Sequence, residues 1–189
     1  RMPRALVATG MELEYDSFGD SADPAMLLIM GLSAQLTAWD ERLCQMFAGA
    51  GRFVIRFDNR DCGLSTKLDG QEPDLAGAMA ASFADQPPPP LPYTLSDMAA
   101  DAIGLLDHLG IEKAHIVGAS LGGMIAQVIA VNHPDRVLTL TSIMSQPADP
   151  EVGHPTPEAA LAIFAPQPTT REEYIAAAPR WMVWQSKKY

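Results

Sequence analysis

Residues 24–31 read PAMLLIMG, a continuous apolar run that ends at a glycine. A strand with one wet face alternates apolar and polar residues. A run that is apolar at every position suits a strand buried on both faces, inside a sheet covered by helices. The flanking segments repeat the theme. Residues 38–51, AWDERLCQMFAGAG, place Trp39, Leu43, Met46 and Phe47 on one predicted helical face, which Gly49 and Gly51 close. RFVIRFD (52–58) predicts the next strand. Thr94, with Asp97 three residues on, resembles a capping box. Leu95, Met98, Ala102, Leu105 and Leu109 then follow helical spacing to Gly110. KAHIVGA (113–119) predicts a strand. LGGMIAQVIAVNH (121–133), apolar nearly all round, predicts a buried helix, and DRVLTLTSIM (135–144) another strand. Strands alternating with helices predict the α/β class: a mostly parallel sheet with right-handed crossovers and helices on both faces. Ahead of this core, RALVATGMELEYDSFGD (4–20) predicts two short strands around a Thr9-Gly10 turn.

Two segments break the alternation. Residues 67–93 are rich in Ala, Gly and Pro, and four consecutive prolines at 87–90 fit neither a helix interior nor a central strand. They predict a surface excursion with a short helix near Leu75 to Phe83. After Met144 the pattern stops, with seven prolines in the last 45 residues and helix-like pieces near 157–164 and 170–178. The organisation expected is a core over residues 1–145 followed by a separate helical segment over 146–189.

Gly118-Ala119-Ser120-Leu121-Gly122 is a G-x-S-x-G set between a predicted strand and a predicted helix. That context distinguishes a nucleophile elbow from a chance match. The serine sits on a strained turn, and side chains at the flanking glycines would collide with neighbouring backbone. Ser120 is therefore the candidate nucleophile, projecting at the C-terminal edge of the sheet near a helix N-terminus that favours developing negative charge. The backbone N–H groups of Leu121, which follows it, and of Leu32, at the end of the 24–31 run, are the candidate oxyanion donors. A small-residue packing turn at Ser120, and an ordinary strand-to-helix turn at Leu32, are the bland alternatives. RFDNRDCGLST (56–66) carries Asp58, Arg60 and Asp61 together. Asp–Arg pairs and side-chain-to-backbone bonds that tie a loop together explain these charges better than catalysis does.

The bulk composition narrows the partners. A net charge of −10 argues against nucleic acid or anionic lipid, both of which need a basic face. The two cysteines, Cys44 and Cys62, form no C-x-x-C and no metal-ligand spacing. A reducing, cytoplasmic setting follows as the default. No apolar run reaches the length of a membrane span, and the N-terminus has no signal-peptide core.

Taken together, LLIMGL, VIRFDNRDCGLST and the long stretch from Tyr93 to Val137 resemble the α/β-hydrolase family. More narrowly, they are similar to the branch containing aclacinomycin methylesterase and related actinobacterial lipase/esterases. The resemblance covers residues 5–145. It implies Ser120 as nucleophile, Leu121 and Leu32 as oxyanion donors, a small-molecule carboxylic ester as substrate, no cofactor and no metal, and a helical cap beginning in residues 146–189. Many relatives have His-Gly where this chain has Met30-Gly31. A hole made of backbone tolerates the change.

The family order is serine, then acid, then histidine, in chains of about 250 to 300 residues. Of the four histidines, His108, His115 and His133 are expected away from Ser120. His154 follows it with Asp149 between, in a Pro-rich loop. An acid and a histidine from sequence outside this chain are the expectation. The strands that would carry them are expected to be missing, which leaves the last strand as an apolar sheet edge. Three explanations stay open: a piece of a longer enzyme, half of a site completed by another chain or by domain swapping, or a truncated homologue that only binds. Ile163, Phe164, Trp181, Met182 and Trp184 are candidates both for a pocket lining and for cap core.

Overall fold

The computed structural model describes residues 2–71, 74, 81, 86, 87, 89–147, 152 and 170–177. The chain divides into two units, Arg1–Gly153 and His154–Tyr189. The first unit holds strands β1 (Arg4–Leu6), β2 (Glu12–Phe18), β3 (Ala25–Ile29), β4 (Phe53–Phe57), β5 (Ala114–Ala119) and β6 (Val137–Ile143). Its α-helices with ends among the described residues are α1 (Glu41–Gly49), α2 (Leu95–His108) and α3 (Leu121–Asn132). In the second unit, residues 171–177 are helical, opened by reciprocal bonds between Thr170 and Glu173. Of the helix expected near Leu75 to Phe83 only Ala81 is described, and it is helical; the one near 157–164 lies outside the described residues.

The six strands form one sheet in the order β1-β2-β4-β3-β5-β6. β1 pairs antiparallel with β2, and β2 antiparallel with β4. The pairs β4–β3, β3–β5 and β5–β6 are parallel. The mostly parallel sheet expected from the apolar runs is present. Period-two alternation explains how both faces are covered. Leu27, Ile29, Ile55, Phe57 and Ile116 point into a core shared with α2 and α3. Leu28, Val54, Val117 and Ala119 point the other way, onto Trp39 and Cys44 beside α1. Each fully buried Leu, Ile or Phe contributes about 1.5–3 kcal/mol of transfer free energy.

The helices depart from expectation in two places. α1 starts at Glu41 behind its N-cap Asp40, so Trp39 precedes the helix. Its inner face is Leu43, Cys44, Phe47 and Ala48, while Met46 is 71% exposed. Trp39 is therefore not part of the helical face, which is set by Leu43, Cys44, Phe47 and Ala48 and leaves Met46 off it. α3 buries Gly122, Gly123, Ile125, Ala126 and Ile129 but leaves Val131 77% exposed. None of residues 121–130 is exposed, so the expected buried helix is present except at its last residues, and it packs on β3, β5, β6 and α2. The predicted capping box at α2 is present: Thr94 Oγ1 accepts from the Asp97 N–H, and the Asp97 carboxylate accepts from the Thr94 N–H.

β6 occupies the sheet edge. Among the described residues its outer side pairs with nothing, and Leu138, Leu140 and Ile143 are all exposed. Among the described residues no helix is long and apolar enough to cross a membrane.

Candidate active site at the C-terminal edge of the sheet

Parallel strands end on the same side, so the segments after β3, β4 and β5 crowd one edge. Ser120 occupies the turn between β5 and α3. It is held there by its own N–H, which donates to Ile143 O at 2.9 Å, and by the α3 amides of Gly123 and Met124, which donate to Ser120 O. Its backbone angles are φ +55°, ψ −122°, a region that only glycine enters freely. The flanking glycines are sterically required. A Cβ on Gly118 would lie 2.1 Å from Gly122 O, and one on Gly122 would lie 2.1 Å from Ile29 O. The turn is thus wedged between the end of β3 and the first turn of α3, and Ser120 caps a helix N-terminus. Among the described residues the Ser120 hydroxyl has no hydrogen-bond partner.

The segment after β3 comes against the serine. A Cβ on Gly31 would lie 3.1 Å from Ser120 Cβ and 3.5 Å from Ser120 Oγ. Gly31 to Ala34 form a tight turn closed by Ala34 N–H donating to Gly31 O at 3.3 Å, with Ser33 at φ +58°. Leu32 sits inside this turn, its side chain 71% exposed. Among the described residues neither the Leu32 N–H nor the Leu121 N–H donates to a protein acceptor. The Leu121 amide belongs to the first turn of α3, where helix geometry leaves donors free.

The segment after β4 is tied down by side-chain bonds. One Asp58 oxygen accepts from Leu36 N–H at 2.7 Å, the other from Leu64 N–H at 2.8 Å. Ser65 Oγ donates to Asp58 O and accepts from Glu14 N–H. Arg60 grips Asp101 of α2 through two bonds of 2.6 and 2.7 Å, both side chains buried, and Thr9 Oγ1 donates to the same carboxylate. The charges of 56–66 are structural, as expected, but the Arg60 partner comes from α2, outside the stretch. The Arg60 guanidinium also lies over the Tyr93 ring, 5.2 Å from its centre. Burial pushes the Tyr93 phenol pKa up, and neighbouring Asp61 adds to this.

A cavity of about 360 Å³ opens beside these segments. Its apolar wall includes Leu32, Leu91, Leu95, Met98 and Leu121, with Tyr93 beside them. Ser120 is not part of its described lining; the cavity touches the serine's neighbours. At about 360 Å³ it is at the small end of the range for small-molecule pockets.

The described histidines lie elsewhere. His108 is exposed on α2, edge-on to Tyr15. His115 is near the start of β5, bonded through Nδ1 to Thr139 Oγ1 at 2.8 Å. His133 caps the far end of α3, about 18 Å of helix from Ser120. Asp149, His154, Ile163, Phe164, Trp181, Met182 and Trp184 lie outside the described residues. Both cysteines are free and buried. Sequence reasoning missed the inter-loop bonds of Asp58, Asn59 and Cys62, which join segments far apart in the chain and leave no local pattern.

Residues 24–183 match the family model described as alpha/beta hydrolase fold. The chain is 34% identical over 149 residues to rhodomycin D methylesterase DnrP of Streptomyces peucetius, covering 78% of this chain and 44% of that protein. It is 29% identical over 131 residues to 3-oxoadipate enol-lactonase 2 of Acinetobacter baylyi, covering 69% and 40%. Among solved structures, the enol-lactonase of Burkholderia xenovorans LB400 superposes with a TM-score of 0.60 at 26% identity, covering 76% and 46%. The chain spans less than half the length of the curated relatives it matches. An elbow serine between β5 and α3, in a mostly parallel sheet covered on both faces, agrees with these matches: the chain belongs to the α/β-hydrolase fold family.

Proposed function

We propose that this chain carries the nucleophile and oxyanion half of a serine hydrolase acting on small-molecule carboxylic esters. The observation that carries the reading is Ser120 itself, a non-glycine residue at φ +55° whose flanking glycines have no room for a Cβ. Such strain persists only where the surroundings over-determine it, and it concentrates at functional sites. In this reading Ser120 Oγ attacks the ester carbonyl carbon while a base takes its proton. The carbonyl oxygen becomes an oxyanion held by the N–H groups of Leu32 and Leu121. Collapse expels the alcohol, protonated by the same base, and water then releases the acyl group. Two relatives bear the names methylesterase and enol-lactonase, and a lactone is a cyclic ester.

The cavity supports an apolar acyl group. It lies on the β3–β4 side of Ser120, walled by the residues that carry the two proposed oxyanion donors. Arg60 in that wall is neutralised by Asp101. In this reading the acid and the histidine are supplied by sequence outside these 189 residues. Residues 146–189 begin a helical cap, and the setting is the cytoplasm. A further chain pairing along β6 is an alternative way to complete the site.

A second reading, a non-catalytic binding member of the same fold, is favoured by one observation: none of the three described histidines is near Ser120. Turnover of p-nitrophenyl esters by the complete protein separates the two. Turnover abolished by Ser120→Ala supports the hydrolase. A stable monomer of intact mass ending at Tyr189, without turnover, supports the binding member.

A further inference from the structure

Three side-chain bonds join the segment after β4 to the segment after β3. Asn59 Nδ2 donates to Met30 O at 3.0 Å. The Cys62 thiol donates to Ala34 O at 3.1 Å. Asp58 Oδ1 accepts from Leu36 N–H at 2.7 Å. The three anchor points, residues 30, 34 and 36, bracket the turn that holds Leu32. All three side chains on the β4 side are nine-tenths buried or more, which limits competition from water for these bonds. Burial also pushes the Cys62 thiol pKa up, which keeps the S–H that donates.

We infer that Asp58, Asn59 and Cys62 are positioning residues that set the Leu32 amide, with Asn59 the decisive one. The inference rests on the reading of Leu32 as an oxyanion donor. Asn59 holds the peptide oxygen two residues before the Leu32 N–H, at the point where the chain leaves the regular ladder of β3 (Ala25–Ile29). The turn itself is closed by one long bond of 3.3 Å and contains a serine at positive φ. Left alone, such a turn rotates readily, and the external bonds are what choose its orientation. Asp58 performs the corresponding task at the far end, and its place depends on Gly63. At φ +50°, a Cβ on Gly63 would lie 1.8 Å from Asp58 Oδ2. The D-N-R-D-C-G stretch thus acts on the chemistry through the backbone: Asn59 and Cys62 also line the cavity, but it is by aiming a neighbouring backbone donor that they reach the reacting atoms.

The test compares an ester with its thionoester, in which sulfur replaces the carbonyl oxygen and is a poor acceptor for amide hydrogens. In the complete protein, Asn59→Leu removes the donor while keeping the volume. The expected result is a loss of about 10-fold or more in kcat on the oxo-ester, little change in KM, and a thionoester rate that stays within about twofold. The oxo/thiono ratio therefore collapses, and the melting temperature serves as the folding control. Cys62→Ala is a milder second variant that should move the ratio in the same direction. An unchanged ratio in Asn59→Leu, with a normal wild-type preference for the oxo-ester, overturns the positioning role alone. Equal loss on both substrates assigns Asn59 to general stability and also overturns it. A wild type with no oxo-ester preference removes the oxyanion reading, and the positioning role falls with it.

Discussion

The backbone of Ser120 can be weighed directly. At φ +55°, ψ −122° its Cβ is the source of strain, and a residue held in so sparse a region costs about 1–3 kcal/mol. Ser120→Gly removes that Cβ and recovers the strain. It also frees the unfolded chain, which costs about 0.4–1 kcal/mol. The net expectation is a gain of about 1 kcal/mol, or about 2–4 °C in melting temperature for a chain of this size. Ser120→Ala is the control, because it loses the same hydroxyl but keeps the Cβ. The hydroxyl has no hydrogen-bond partner among the described residues, so its loss adds little to either variant. The difference between Gly and Ala thus isolates the turn. Urea unfolding with matched slopes and a thermal melt both read it. If Ser120→Gly is no more stable than Ser120→Ala, the elbow is not strained and the argument for a built nucleophile loses its physical basis.

Other consequences follow from the same contacts. Gly122→Ala places a methyl 2.1 Å from Ile29 O; a loss of about 3 kcal/mol is expected, read as a lower denaturant midpoint, and a neutral result would mean α3 and β3 are not in contact. Asp101→Ala leaves the Arg60 charge buried and unpaired; the expected cost is about 3–5 kcal/mol, with the double change Arg60→Met, Asp101→Leu costing clearly less. The Asp40 carboxyl, at the N-cap of α1, is lowered to about 2, chiefly by the Arg42 side chain and then by its N–H. A carboxylate lowered on folding from about 3.9 stabilises fully above that value and loses its contribution as pH falls through about 2. A carbon-detected NMR titration should place the Asp40 midpoint near 2, and a midpoint near 4 would contradict the Arg42 contacts.

What the sequence shows and hides divides along physical lines. Segments whose character is local were legible. The uninterrupted run at 24–31 gave a buried strand, Ala25–Ile29. The spacing from Leu95 to Leu109 gave α2, and Thr94 with Asp97 gave its capping box. The elbow was legible because strand, turn and helix are contiguous. Strand order was not: β4 lies between β2 and β3, and nothing in either segment encodes its neighbours. The sequence pattern places Met46 on the inner face of α1 only if Trp39 is counted in the helix, and Trp39 precedes it. The charges of 56–66 tie segments together as their pattern suggests, yet Arg60 reaches Asp101, 41 residues on. The bond from Asn59 to Met30 spans 29 residues. Long-range polar partners of this kind have no periodicity to betray them, and they hold the Leu32 turn in place.

The most direct measurement is labelling of the folded, complete protein by a fluorophosphonate probe, followed by peptide mapping. The account predicts one adduct, on Ser120, absent in Ser120→Ala together with ester turnover. No adduct on Ser120 in protein that is demonstrably folded, or turnover that survives Ser120→Ala, would contradict it.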